Sequence, residues 1–128
     1  MAVLTAPKYE VEGDLAAKLG LVATRSKYTI TESEAVNDVI MLRKLPEGAH
    51  LLLVSGWNGG GSIAGNFVIA DSQGNVIATL TTGMTGVFQV EYVVGPDQYL
   101  AVQVTTAPTA GDGGDVAIFT AFYQFGEP

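Results

Sequence analysis

The sequence predicts an all-β fold: an eight-stranded antiparallel sandwich of jelly-roll type over residues 28–128, preceded by an extended N-terminal arm over residues 1–27. Three observations carry that expectation. From Tyr28 onward, short apolar or alternating runs recur with turn chemistry every eight to twelve residues, the spacing of a sandwich or barrel. Five segments rich in Gly, Pro, Asn and Asp punctuate the runs: 46–48, 58–61, 72–75, 95–98 and 111–115. Their residues tolerate positive φ or preset a turn, and the two tightest are expected to be hairpins. The runs themselves number eight, the jelly-roll count.

Taken in order, residues 1 to about 26 show no sustained alternation, and Pro7, Gly13 and Gly20 interrupt any long element. The stretch Gly13–Gly20 permits a helical turn or two, with Asp14 as N-cap and Gly20 as the terminating residue. A helix that short does not offset its nucleation cost alone, so it needs a surface to dock on. The expected strands are Tyr28–Thr31, Asp38–Leu45, His50–Trp57, Gly65–Asp71, Val76–Thr81, Val87–Val94, Tyr99–Thr105 and Val116–Phe125. Alternation assigns faces in two of them. Phe88, Val90, Tyr92 and Val94 lie opposite Gln89 and Glu91; Leu100, Val102 and Val104 face inward, with Ala101, Gln103 and Thr105 outward. The last strand is apolar on both faces, Ile118, Thr120 and Phe122 on one and Phe119, Ala121, Tyr123 and Phe125 on the other. One of those rows therefore needs cover, from the arm or from another subunit. We expect Phe119, Tyr123 and Phe125 to be partner-facing, and a homodimer or homotrimer to result.

Charge is divided along the chain. All six cations, Lys8, Lys18, Arg25, Lys27, Arg43 and Lys44, precede residue 45, while seven acids from Glu47 onward are unopposed and give the net charge of −7. An adhesive arm on an acidic body follows, with Val3, Leu4 and Tyr9 as apolar anchors and Arg25 and Lys27 pairing with acidic groups of a partner. A frayed terminus is the plain alternative. The acidic body argues against nucleic acid, because phosphate neutralisation requires a basic face. No apolar stretch approaches the roughly 20 residues of a membrane span. The first ten residues lack the basic and apolar regions of a secretory signal, so synthesis in a host cytoplasm is expected. With no Cys, disulfides, thiolate zinc sites and cysteine nucleophiles are excluded.

Residue chemistry points away from catalysis. His50 is the single neutral-pKa base, and it opens an apolar run where packing or strand-edge hydrogen bonding is the plainer role. The run Gly59–Ala64 matches G-x-G-x-x-A formally, but a strand follows it where a dinucleotide site requires a helix. Asp112 and Asp115 are too few for calcium and read as a solvated loop. We therefore expect no enzyme, no cofactor and no metal. Trp57, beside Asn58 and three glycines, suits a sugar-stacking platform, although a lone Trp at a strand end is more often core.

The stretch Asn37–Ala49, in which a strand ends in Lys44-Leu45-Pro46-Glu47-Gly48-Ala49 before the apolar run His50–Val54, resembles small β-sandwich structural proteins of tailed bacteriophages. The resemblance continues through residues 65–80. It implies a capsid decoration (cement) protein on the outer surface of the virion head, stabilising it by bridging major capsid subunits. The alternative is a carbohydrate-binding or host-attachment module of a phage tail or fibre, suggested by Trp57 and its glycine loop.

Overall fold

The computed structural model describes residues 2–5, 21–59 and 62–125. Among these the chain forms nine strands and no helix: β1 (Val3–Thr5), β2 (Leu21–Thr29), β3 (Val39–Lys44), β4 (His50–Asn58), β5 (Ala64–Ala70), β6 (Val76–Thr79), β7 (Gly86–Val93), β8 (Tyr99–Thr106) and β9 (Val116–Gln124). They make two facing sheets, a first ordered β1-β3-β8-β5-β6 and a second ordered β2-β9-β4-β7. The fold is an all-β sandwich. Its antiparallel pairs are nested about the 71–75 turn: β5 with β6, β4 with β7, β3 with β8 and β2 with β9. The chain thus runs as one long hairpin wound across two layers, and β1 adds to β3 as a parallel edge strand.

This winding revises the expected hairpins. Only β5 and β6 are both consecutive and paired; the turns at 46–48 and 95–98 carry the chain from one sheet to the other. The Asp71 carboxylate closes the real hairpin by accepting from the Gln73 and Asn75 amides at 2.9 and 3.0 Å, an Asx-type turn. The strand expected at Tyr28–Thr31 begins at Leu21 instead, so residues 21–27, assigned to the arm, are paired along β9. Residues 6–20, including Tyr9 and the helix expected over Gly13–Gly20, lie outside the described residues.

The core between the sheets centres on Phe67 of β5, fully buried, whose ring meets Phe119 of β9 at 5.7 Å and 90° and Phe88 of β7 at 6.0 Å and 67°. Edge-to-face pairs of this kind add to the burial of the rings themselves. Because β5 belongs to one sheet and β7 and β9 to the other, these three rings tie the layers together. Gly56 of β4 is required nearby: a Cβ there would stand 1.8 Å from the Met84 carbonyl oxygen and 3.1 Å from Phe119 Cδ1. A second cluster lies on the other side of the first sheet, where Val39, Met41, Val68, Ala70, Tyr99 and Ala101 are 0–4% exposed. Ala101, expected to face outward into solvent, does leave the main core but is buried in this cluster.

Candidate interaction surfaces

The N-terminal strand sits in a seat built from three elements. Val3, Leu4 and Thr5 align with Val39, Ile40 and Met41 of β3, and the Val39 amide donates to the Ala2 carbonyl at 3.0 Å. The Asp38 carboxylate, 6% exposed, accepts from the Ala2 amide and the Ala35 amide, each at 2.9 Å. Those two N–H groups hold its carboxyl below the usual aspartate range. Leu4 packs on the main core, while Val3, 42% exposed, lies over Gly74, where a Cβ would come 2.3 Å from Val3 Cγ2. Gly74 also has φ +82°, a conformation that glycine adopts without strain.

Beside this seat, Glu34 is 3% exposed and accepts from the Tyr28 hydroxyl at 2.5 Å, the Thr31 amide at 3.0 Å and the Thr31 hydroxyl at 3.1 Å. Burial alone would raise its carboxyl, but the bonds from Tyr28 and Thr31 outweigh it and the group is held low. Burial, and then the bond to Glu34 and its charge, push the Tyr28 hydroxyl upward. The pair is thus a fixed clamp joining the end of β2 to the β2–β3 loop.

At the adjoining loops, Asp112 accepts from the Ser62 amide and hydroxyl, both at 3.0 Å, and from the Thr109 amide at 2.8 Å. The carboxylate staples two loops together, and Glu32 does the same by accepting from the Gly111 and Gly113 amides at 3.1 and 3.0 Å. Among the described residues no group of three or more His, Asp or Glu gathers. His50 is half-buried at the start of β4 and lines a groove of about 310 Å³ with Leu51, Leu52, Glu91, Tyr92 and Val93.

The residues expected to meet a partner are dispersed. Phe119 and Tyr123 are 2% and 0% exposed and belong to the core, because β9 lies between β2 and β4 and turns that row inward. Phe125, just past β9, is 37% exposed, with its ring edge on Tyr123 at 6.2 Å. Arg25 and Lys27 are exposed on the outer side of β2, and the Arg43 guanidinium donates to the Arg25 carbonyl at 3.1 Å. The row of β9 that faces away from the core is the other one, Ile118, Thr120 and Phe122, which are half-buried. It borders Trp57, which is 57% exposed and so is not the core residue that its type suggests.

The molecule is thus a two-layer β-sandwich with a tethered edge strand and stapled loops. No protein-family model matches the chain, and no curated protein matches its sequence. Among solved structures it is similar to a chain of the capsid of Ralstonia phage GP4, with a TM-score of 0.65 and 18% identity over 93% of this chain and 99% of that one. It is also similar to a chain of the cyanophage Pam1 capsid asymmetric unit, at TM-score 0.41 and 14% identity over 82% of each. At 18% identity the likeness to the phage GP4 capsid chain is one of fold.

Proposed function

We propose that this chain is a non-enzymatic jelly-roll protein of a phage virion, bound on the outside of the head as a decoration protein that bridges major capsid subunits. The observation that carries the reading is the near end-to-end likeness to a chain of the Ralstonia phage GP4 capsid, covering 93% of one and 99% of the other. The loops and N-terminal strand fit the role. Carboxylates at Glu32, Asp112 and Asp38 pin segments far apart in sequence, which keeps a contact surface in one conformation without large loops to order on binding. Residues 1–20 are the proposed attachment segment, anchored on the chain's own body through β1, so their deletion weakens attachment to heads.

Electron microscopy of particles tests the assignment directly. The expected result is many copies on the outer head surface and loss of packaged DNA at lower temperature when the protein is absent. Its location on the tail, or identical thermal release with and without it, refutes the reading. A second reading, glycan binding by a tail or fibre module, is favoured by the exposure of Trp57; binding on a glycan array that Trp57→Ala abolishes would select it.

A further inference from the structure

The outward face of the second sheet departs from what an antiparallel sheet facing water should show. Such a sheet alternates apolar inward with polar outward. Here the two central strands point apolar residues both ways. Leu51 and Val54 of β4 and Phe119, Ala121 and Tyr123 of β9 fill the core, and Leu53, Trp57, Ile118 and Phe122 take the opposite side. The edge strand β7 adds Val87 and Val93, which are 73% and 58% exposed. On the corresponding face of the first sheet the central cluster of Val39, Met41, Val68, Ala70, Tyr99 and Ala101 is buried, and exposed apolar residues of that sheet are limited to its edge strands, at Val3 and Ile77.

We infer that this face is the contact between two copies of the chain, stacked sheet on sheet about a two-fold axis that runs parallel to the strands between β4 and β9. The register makes the face self-complementary. Leu53 is level with Phe122, Ser55 with Thr120, and Trp57 with Ile118. A two-fold axis between the strands lays β4 of one copy over β9 of the other at the same level. It therefore sets Leu53 against Phe122, Trp57 against Ile118, and the Ser55 hydroxyl against the Thr120 hydroxyl. The two central rows thus meet rows of their own chemistry, and at the margin Arg25, level with Val87, lies over Val87 of the other copy.

Charge selects both the occupant and the axis. The chain carries −7 overall, which opposes contact between copies, yet the outward strand positions of this face hold Arg25 and Lys27 against Glu91, a local balance of +1. Two acidic molecules can meet there without stacking carboxylates. An axis running across the strands would instead lay β2 on β2 and oppose Arg25 and Lys27 to their own copies. The parallel axis places β2 over β7, separating them. Four strands about 4.8 Å apart and roughly 28 Å long give a flat footprint of about 500 Å². With side-chain relief, this approaches the roughly 800 Å² per partner of a stable interface. Facing sheets pack about 10 Å apart at a small angle, a geometry that the exposed Trp57 ring fills.

The inference is independent of attachment to heads and is tested on the free, full-length protein. Sedimentation from about 1 μM to 1 mM should show a monomer–dimer equilibrium, and the emission of Trp57, the one tryptophan of the chain, should shift to the blue as the dimer forms. Trp57→Asp should raise the dimer dissociation constant at least 30-fold with unchanged circular dichroism. Leu53→Lys, which keeps the tryptophan, should abolish the concentration-dependent shift. Val36→Asp changes an apolar residue, 53% exposed, on the loop between β2 and β3 and should leave the dimer intact. A monomer throughout the range overturns the inference. So does a dimer that tolerates Trp57→Asp and Leu53→Lys, or one whose tryptophan emission does not move.

Discussion

Replacing Phe67 by alanine removes the residue through which the two layers meet. Its ring is fully buried and makes edge-to-face contacts with Phe88 and Phe119 at 6.0 and 5.7 Å. Truncating a buried Phe to Ala typically costs about 3–5 kcal/mol, transfer and cavity together. Two ring pairs worth about 0.5–1.5 kcal/mol each place this site near the top of that range. The neighbours have little freedom to collapse, because Phe119 is also held against the Gly56 backbone. We therefore expect a loss of about 4–5 kcal/mol, set against a total stability of about 5–15 kcal/mol for a domain of this kind. In urea, with a slope on the order of 1.5–2 kcal/mol per molar, the midpoint should fall by about 2–3 M without a large change in slope. Phe67→Leu, which keeps most of the volume and none of the ring contacts, should lose about 1–2 kcal/mol. A loss below about 2 kcal/mol for the alanine variant would refute the claim that these three rings hold the sheets together.

Other expectations follow from individual contacts. Gly56→Ala drives a Cβ into the Met84 carbonyl at 1.8 Å and should cost at least about 3 kcal/mol by urea titration, more than Gly→Ala in an open strand. Gly74→Ala should unseat β1: the amide of Val39, which now donates to the Ala2 carbonyl, should exchange with solvent at loop rates by NMR while the β5–β8 amides stay protected. Glu34 and Asp38 have carboxyls held below their ordinary values of 4.5 and 3.8, so their contribution to stability is complete above those values and is lost as pH falls through the folded-state values. Thermal melts should drop steeply below about pH 4, and the Glu34→Gln, Asp38→Asn double variant should be less stable at pH 7 with a shallower acid decline.

The sandwich was legible where side chains alternate in hydrophobicity, and obscure where a strand places polar groups inward. Seven of the nine strands lie close to their expected positions. The start of β2 was hidden because its inward row is Val22, Thr24, Ser26 and Tyr28, in which small polar Thr and Ser take two of the four places. Ser26 is acceptable inside because its hydroxyl donates to the Leu42 carbonyl at 3.1 Å, a partner on another strand that hydropathy cannot reveal. β1 escaped because three residues paired in parallel to a strand 36 positions away carry no local signal. In β9 the expected contrast between two apolar rows was correct, but which row faces the core depends on its neighbours β2 and β4, and that is a property of the assembled sheet. The acids behaved similarly. Asp38, Glu32 and Asp112 look like surface charge in the sequence and act as caps for distant amides.

The nested order of pairing also sets when this molecule can exist during its own synthesis. The β5–β6 hairpin is local and can close first, but each further pair spans a longer loop, ending with β2 against β9, whose partners lie up to 103 residues apart at Leu21 and Gln124. Loop entropy grows only slowly with length, so the added cost per layer is modest, yet such non-local order slows folding. The last of the described strands to leave the ribosome is an inner one, flanked by β2 on one side and β4 on the other. Until it emerges, both of those strands present unpaired edges, and the nascent chain is at its most adhesive. A chain ended before β9 leaves β2 without its partner and β4 with an open edge, whereas a segment appended after Phe125 leaves every described pair intact.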